Sequence, residues 1–325
     1  MTVARLVALG LGLLLLAYVI LRLGPREVAA TLAEIGWGFA GVLGLYLAYQ
    51  LARAAALVAA VDRPGTLRYR DALFIRISGE AIQFLTVTGP FLAEPAKAWL
   101  LTRRGLSGAK GFAATLGEYL GYLFVSAMLS AVAAGALVHG FDLPSAARGA
   151  AIAVLVASTA FVVVAAGAVA RGTRLIGHML AWLRRLPALG KRLPAARAVD
   201  AMEDHLLAVL HDRPGRLAAL LGLEVAAHGL HLLELWCILA SAGLVVSARE
   251  AFLVEAGTKF VPAVFFFVPG QVGASEAAHA VLFDAIGWPA AAGFAVPFTR
   301  RLRSLVLSAV GVAAFYALTG RPSRR

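Results

Sequence analysis

The sequence predicts an all-α polytopic membrane protein, with about six full transmembrane helices and two re-entrant helical hairpins arranged as inverted-topology repeats. Composition is the first reason. Of the 325 residues, 61% are hydrophobic and only 15% are charged, whereas a soluble domain is about half apolar and about a quarter charged. Two further observations, apolar runs broken by proline and glycine and an internal sequence similarity, indicate the hairpins and the repeats.

The chain is strongly basic, with a formal net charge of +12. Such a charge is common in proteins that bind nucleic acid, but here the basic residues cluster in short segments between apolar runs. Orientation in the membrane explains that pattern better, so no nucleic-acid partner is expected. The one cysteine, Cys237, lies inside an apolar run and allows no internal disulfide.

The whole chain, 1–325, is expected to form one membrane domain. Residues 6–21 form a long apolar run that we interpret as an uncleaved first span, and 24–35 form a short amphipathic connection. Further spans are expected at 37–61, 112–138, 147–170, 217–240 and 289–318. The predicted parts are 1–35 with the first span and a periplasmic connection, 36–171 as the first repeat half, 172–216 as a basic amphipathic cytoplasmic connector, and 217–320 as the second half.

Each half contains one predicted re-entrant hairpin, at 72–101 and 251–286. The arms are apolar but too short or too polar to face lipid as full spans. Each hairpin is interrupted by residues that break a helix, which are Gly89 and Pro90 in the first and Pro269, Gly270 and Gly273 in the second. Broken helices of this kind occur where the backbone lines a cavity rather than lipid.

Within the connector, residues 198–210 place Val199, Met202, Leu206 and Leu210 on one helical face. This face predicts either a helix lying on the membrane surface or a solvated connecting helix, and the sequence does not favour one of the two.

The two halves share an internal similarity. The segment GLSGAKGFAATLGE from Gly105 aligns without gaps with GWPAAAGFAVPFTR from Gly287. In this register Glu118 falls on Arg300. The same register places Glu94 on Glu276, each after a proline break. The joint match indicates a repeat.

Positive charge predicts the orientation of the halves. The connector and the basic tail 320–325 should be cytoplasmic, as should both termini. The spans then give the two halves opposite directions, so that the first hairpin enters from the cytoplasm and the second from outside. Inverted repeats with broken helices are a transporter architecture.

Ionisable residues at membrane depth are costly, so they are functional candidates. The main candidates for a headgroup or proton pathway are Glu94, Lys97, Glu118, Glu276, Arg300, Arg301 and Arg303. The secondary candidates are Arg53, Glu80, Glu224, His228, His231, Glu234 and Lys259.

Several alternatives stay open for these side chains. They are either a site, where arginines suit a phosphate or carboxylate, or buried ion pairs that clamp the hairpins. One or two of the arginines are expected to extend to the membrane interface. Glu276 and Arg300 are the pair that we expect to matter most, and repeat symmetry should bring them together with Glu94 and Glu118.

The spacing from Glu224 through His228 and His231 to Glu234 puts all four on one helix face. Such a face suits zinc, a proton relay, headgroup contact or structural pairing. The sequence holds no HExxH motif, cysteine cluster, nucleotide fingerprint or GxSxG motif, so no metal site and no cofactor are expected.

The motif residues resemble the membrane region of lysylphosphatidylglycerol synthases, a flippase-like family with stand-alone members, some of them associated with hopanoid or glycolipid pathways. The resemblance rests on Pro90-Phe-Leu-Ala-Glu94-Pro-Ala-Lys97, on Glu118, and on Pro269 to Glu276 followed by Arg300, and it covers roughly 37–318. In the first motif Ala93 precedes Glu94 where the family usually has glycine, and Lys97 stands where arginine is common. No segment resembles the soluble synthase domain, so the resemblance implies lipid translocation or lipid binding rather than synthesis.

The sequence therefore favours a translocator that moves a lipid between leaflets of the bacterial inner membrane, with membrane lipids as partners. One alternative is a membrane-embedded enzyme that acts on a lipid headgroup through Glu224, His228 and His231. Another is a scaffold that binds lipid-modifying enzymes without transporting anything.

Overall fold

A computed structural model describes residues 26, 36–63, 65–86, 89–185, 195–261, 273–289 and 293–320. The predicted first span at 6–21, nearly all of the connection at 24–35, and the predicted break at Pro269 and Gly270 lie outside the described residues.

The described residues form eleven helices and contain no strand. In chain order these are α1 Gly38–Ala59, α2 Tyr69–Leu85, α3 Pro90–Thr102, α4 Gly108–Gly140, α5 Ser145–Ala170, α6 Leu175–Leu183, α7 Ala196–Leu210, α8 Pro214–Ser241, α9 Ala248–Gly257, α10 Ala274–Ala285 and α11 Ala295–Gly320.

Five of the described helices, α1, α4, α5, α8 and α11, are long and apolar enough to cross a membrane. Each has 22 residues or more, and about 20 residues suffice to cross the hydrocarbon core. This confirms the prediction of an all-helical multi-pass membrane protein. Helix α4 begins four residues before the predicted span, because the Ser107 hydroxyl accepts a hydrogen bond from the backbone N–H of Lys110 at 3.3 Å and caps it.

Four shorter helices occupy the segments predicted as hairpins. Helices α2 and α3 have 17 and 13 residues, and α9 and α10 have 10 and 12. The chain between α2 and α3 turns at Gly89, whose φ of 48° favours glycine, and Pro90 then occupies the first turn of α3. Helix α10 begins directly after Gly273, whose φ is 85°.

Long helices pack across the two halves of the chain. Helix α1 lies along α8, α2 packs on α11, and α9 packs on α4, while α3 also packs on α4. The α2–α11 crossing is close, because a Cβ added at Gly311 would lie 2.5 Å from the backbone oxygen of Ile77. The short helices are therefore held between the long ones.

Helix α5 differs from the other spans. It packs on α4, and none of its residues is buried. Its apolar side chains thus remain free to face lipid.

The apolar face predicted on α7 lies in neither of the expected environments. Val199, Met202, Leu206 and Leu210 are buried in a core cluster that includes Ala56 of α1, Ala113 of α4 and Leu220 of α8. The helix covers the ends of these spans because its apolar face finds protein there. The membrane-surface and solvated interpretations of that face are therefore both wrong.

Candidate functional site

A cavity of about 250 Å³ lies between the two halves, lined by residues of α1, α2, α4, α8, α9, α10 and α11. Its lining is rich in positive charge. The described lining contains two carboxylates, Glu80 and Glu255, and six basic side chains: Arg53, Arg76, Lys259, Arg300, Arg301 and Arg303. A polar cavity of this kind among apolar spans is where intramembrane charges are accommodated.

Glu118 on α4 is the centre of the first cluster of charges behind this lining. Its Oε1 accepts a hydrogen bond from Arg53 Nε at 2.7 Å, and its Oε2 accepts one from Lys97 Nζ at 3.0 Å. Arg76 Nε lies 3.5 Å from Oε1. The carboxylate is fully buried, so three cations from three helices neutralise it. This is the geometry that a buried charge requires.

Lys97 reaches Glu118 only because position 79 is glycine. A Cβ at Gly79 would lie 2.6 Å and 2.7 Å from Cγ and Cδ of Lys97. Past this point the ammonium group also pairs with Glu94, at 2.8 Å. Because Gly79 has no side chain, Lys97 of α3 can pass α2 and place its ammonium group beside Glu118.

Arg53 on α1 has partners on both sides. Besides Glu118, its Nε lies 3.2 Å from Glu224 Oε2, and its Nη1 donates to the Tyr49 hydroxyl at 3.0 Å. Its guanidinium stacks over Tyr122, 4.2 Å from the ring centroid. Arg53 therefore connects the cavity to carboxylates on α4 and α8.

The edge of the first cluster lies on α2. Arg76 Nη2 donates to Glu80 at 3.4 Å, and the hydroxyl of Tyr46 donates to the other oxygen of Glu80 at 2.7 Å. Glu80, one of the two carboxylates that line the cavity, is thus neutralised by Arg76, which also lines it.

The second cluster surrounds Arg300 on α11. Arg300 Nε donates to Glu234 at 3.2 Å, and its Nη2 donates to Glu255 and to the backbone oxygen of His231. Arg303 donates to the other oxygen of Glu234 and lies over the Tyr46 ring, 3.6 Å from its centroid. The second cluster therefore joins α8, α9 and α11.

The second lining carboxylate is held from two sides. Glu255 on α9 pairs with Lys259, two residues after the end of that helix, as well as with Arg300. Lys259, a secondary candidate from the sequence, is thus part of the second cluster and of the lining.

Glu276 does not pair with Arg300, which corrects the pairing that the sequence suggested. Its carboxylate accepts two hydrogen bonds from Arg301, one of them at 2.8 Å, and one from the backbone N–H of Gly273 at 2.9 Å. It therefore caps the start of α10, where a negative charge is favourable. Glu276 and Arg300 do not become ion-pair partners, because the packing of α10 on α11 brings the neighbouring Arg301 to Glu276.

The three arginines of α11 all point into the protein. Arg301 and Arg303 are buried and Arg300 is mostly buried, and all three line the cavity. The expectation that one of them extends to the membrane interface is wrong, since carboxylates of α8, α9 and α10 hold them inside.

The described charges of the two clusters and the Glu276–Arg301 pair balance. The seven basic side chains are Arg53, Arg76, Lys97, Lys259, Arg300, Arg301 and Arg303, and the seven carboxylates are Glu80, Glu94, Glu118, Glu224, Glu234, Glu255 and Glu276. Five of the carboxylates do not line the cavity. The network is thus neutral overall but presents its positive side to the cavity.

The histidines of α8 have separate surroundings. His228 Nδ1 hydrogen-bonds the backbone oxygen of Glu224 at 2.7 Å, and its Nε2 hydrogen-bonds the Ser126 hydroxyl at 2.8 Å. A carbonyl oxygen only accepts, so Nδ1 carries the proton and the Ser126 hydroxyl donates to Nε2. The His231 ring lies edge-on to Tyr49, with the centroids 4.1 Å apart.

Sequence reasoning missed several residues of this site. Glu255, Tyr46 and His279 were not among the candidates, although each lines the cavity. Glu255 stands in an apolar run four residues before Lys259, and this i, i+4 pairing was a usable signal. His279 is buried, its Nε2 has no hydrogen-bond partner among the described residues, and it stands three residues after Glu276.

Within the described ranges, no group of three or more histidine, cysteine, aspartate or glutamate side chains is arranged to hold a metal ion. The acidic and histidine side chains of α8 instead contact arginines, a serine and aromatic rings.

Comparison with known protein families matches residues 5–311 to the family described as the lysylphosphatidylglycerol synthase TM region. No curated protein and no solved structure matches the chain significantly.

Proposed function

Because the chain belongs to the lysylphosphatidylglycerol synthase transmembrane-region family, we propose that it moves an anionic lipid between the leaflets of a membrane. The headgroup crosses through the central cavity while the acyl chains stay in lipid. The observation that carries this proposal is the cavity lining, in which six basic side chains face two carboxylates. Such a surplus attracts a phosphate or carboxylate group.

The size of the cavity supports a headgroup rather than a whole lipid. Its volume of about 250 Å³ is below the roughly 300–1,000 Å³ typical of sites for drug-sized ligands. Arginines also suit this cargo, because their planar donors match phosphate oxygens and they are more weakly hydrated than lysines.

The packing of the halves supports alternating access by inverted repeats. The first hairpin arm, α2, packs on the last span of the second half, and α9 packs reciprocally on α4. Corresponding helices of the two halves also form ion pairs, with the charges exchanged. In the first half Arg53 of α1 pairs with Glu118 of α4, and in the second half Glu234 of α8 pairs with Arg300 of α11. In the repeat register Glu234 falls one residue before the counterpart of Arg53. Two such halves can rock about a central site.

The proposed setting is the bacterial inner membrane, with both termini and the basic connector in the cytoplasm. In this orientation, helices α2 and α3 form a hairpin that enters from the cytoplasm, and α9 and α10 form one that enters from outside. The proposed partners are membrane lipids and, beyond them, enzymes that modify those lipids.

A vesicle assay tests this function. The purified chain is placed in phosphatidylcholine vesicles with a trace of fluorescent phosphatidylglycerol, and a membrane-impermeant quencher reports the accessible fraction. We expect quenching beyond the outer leaflet for the anionic lipid and much less for fluorescent phosphatidylcholine.

Matched variants link the assay to the cavity. Arg300→Gln should slow flipping of the anionic lipid at least tenfold, whereas Arg148→Gln, an exposed arginine at the start of α5, should not change it. Equal flipping of both lipids by all proteins would refute a cation-lined path, and an absence of flipping by the unmodified chain would refute translocation.

A second candidate function is a lipid-headgroup enzyme, and the Ser126–His228 hydrogen bond favours it. A serine hydroxyl that donates to a histidine whose other nitrogen is anchored is the start of a nucleophile–base pair. Covalent labelling of Ser126 by a fluorophosphonate, lost in Ser126→Ala, would support the enzyme. The same labelling in His228→Gln would show that the pair is not activated.

A further inference from the structure

We infer that Glu224 binds one proton for each anionic headgroup that enters the cavity, so that lipid movement is coupled to proton movement. This inference rests on the proposed function and adds its energy source and its second substrate. It follows from how the oxygens of Glu224 are surrounded and from the charge balance of the two clusters.

Glu224 differs from the other carboxylates in its hydrogen bonds. It is fully buried, and neither of its side-chain oxygens has a hydrogen-bond partner among the described residues. Its nearest cation is Arg53, whose Nε lies 3.2 Å away. That nitrogen has one hydrogen, which it already donates to Glu118 at 2.7 Å.

A buried carboxylate without hydrogen bonds is costly as an anion, and protonation removes that cost. Arg53 is the cation nearest to Glu224, but it is shared with the carboxylate of Glu118. On α8 itself, His228 is hydrogen-bonded to Ser126 and to the backbone of Glu224. The unbonded oxygens of Glu224 therefore provide a place inside the protein where a proton can bind.

Groups on the remaining neighbouring helices are already engaged. On α11, Arg300 and Arg303 pair with Glu234, further along α8. Glu255 of α9 pairs with Lys259, which follows that helix. On α7, Glu203 accepts two hydrogen bonds from backbone N–H groups at the start of α6.

The other carboxylates of the first cluster are better satisfied. Both oxygens of Glu118 and both of Glu80 accept hydrogen bonds. Glu94 has one free oxygen, but its other oxygen pairs with Lys97 at 2.8 Å. Glu224 is therefore the most favourable proton acceptor in this cluster.

The charge balance links the proton to the headgroup. The first cluster has three cations and four carboxylates, so it carries one surplus negative charge. The second cluster has the cations Lys259, Arg300 and Arg303 against the carboxylates Glu234 and Glu255, so it carries one surplus positive charge. The two surpluses cancel each other.

An anionic headgroup that pairs with the second cluster cancels the positive surplus and leaves the negative one uncompensated. A net charge in a low-dielectric interior is costly. Uptake of one proton by Glu224 restores neutrality. By linkage, each ligand then strengthens the binding of the other.

One proton moving with one singly charged anion transfers no net charge. A membrane potential should therefore not drive this transport, whereas a pH difference should. At a ratio of one to one, a pH difference of about one unit supports a lipid gradient of about tenfold between the leaflets.

The test uses the full chain in phosphatidylcholine vesicles with a trace of fluorescent phosphatidylglycerol. The membrane potential is held at zero with valinomycin and equal potassium, and a one-unit pH difference is imposed. We expect labelled lipid to accumulate several-fold in the leaflet on the alkaline side, because protons that move from the acidic to the alkaline side carry the lipid with them. The variant Glu224→Gln should still fold, and its labelled lipid should stay evenly distributed.

A matched control makes the result specific. Asp284→Asn, an exposed carboxylate on α10, should accumulate lipid as the unmodified chain does. Accumulation by Glu224→Gln would overturn the assignment to Glu224. An even distribution with rapid flipping by the unmodified chain would overturn the proton coupling but not the proposed function.

If the unmodified chain flips no lipid, the proposed function fails. Infrared difference spectroscopy then tests separately whether Glu224 takes up a proton when an anion binds. A protonated-carboxyl band that appears when soluble glycerol phosphate binds, and that is missing in Glu224→Gln, would support the site. An unchanged band in that variant, or no such band in the unmodified protein, would overturn it.

Discussion

Glu118→Gln tests whether the first cluster holds the helices together. Glu118 is fully buried and neutralises Arg53 and Lys97 by hydrogen bonds, with Arg76 at 3.5 Å. Glutamine keeps one acceptor oxygen but removes the negative charge, and it turns an amide group toward one of the cations. Three buried cations then share one carboxylate fewer.

The expected loss is large. Breaking a buried ion pair by removing one partner costs roughly 3–5 kcal/mol. At about 2 °C per kcal/mol, as in larger domains, this lowers the midpoint of thermal unfolding by about 6–10 °C. Tryptophan fluorescence of the protein in detergent, from its five tryptophans, measures the midpoint.

A double-mutant cycle isolates the contact. Lys97→Met removes the ammonium group and leaves a side chain of similar length, so the double variant should be less destabilised than the sum of the two by about 1–3 kcal/mol. Asp142→Asn, an exposed carboxylate after α4, should change stability by less than about 0.5 kcal/mol. A loss below about 1 kcal/mol for Glu118→Gln, or additive single variants, would refute the clamp.

Gly79→Ala should lower stability by about 1–3 kcal/mol, because its Cβ would meet the lysine side chain that passes it; thermal unfolding without a shift would contradict this. Replacing Glu276 or Arg301 alone should destabilise the fold, and exchanging the two residues should restore stability but not flipping if the pair contacts the headgroup. Recovery of both thermal stability and vesicle flipping in the exchanged variant would indicate a purely structural pair. In a Cys237→Ala background, a cysteine at Ser145 should react with an impermeant thiol reagent added to intact cells, and one at Ser107 should not; the opposite labelling would overturn the inverted orientation.

The spans were predictable because each is long, apolar and bounded by polar segments. The 26 residues of α5 and the 28 of α8 lie within three residues of the predicted bounds at each end. The break before α3 was also visible, since Gly89 and Pro90 are residues whose backbone preferences end and begin helices. These features depend on local sequence, so a single chain displays them.

The partners within the site were not predictable in the same way. Arg53 and Glu118 are 65 residues apart, and Arg300 and Glu255 are 45 apart. Which charges meet depends on how α1 packs on α8 and how α9 and α10 pack near α11, and the alternation of apolar and polar residues does not encode that packing. The repeat register identified Glu118 and Arg300 as matching positions, but it says nothing of their partners.

Headgroup crosslinking tests whether an anionic lipid headgroup occupies the cavity between the halves. The purified chain is incubated with a phosphatidylglycerol analogue that carries a photoreactive diazirine on its headgroup, and the modified peptides are mapped by mass spectrometry. We expect modification of cavity-lining segments of α2, α4, α10 and α11, for example near Ser304, with competition by unlabelled phosphatidylglycerol. Modification confined to the lipid-facing helix α5, with no competition, would contradict it.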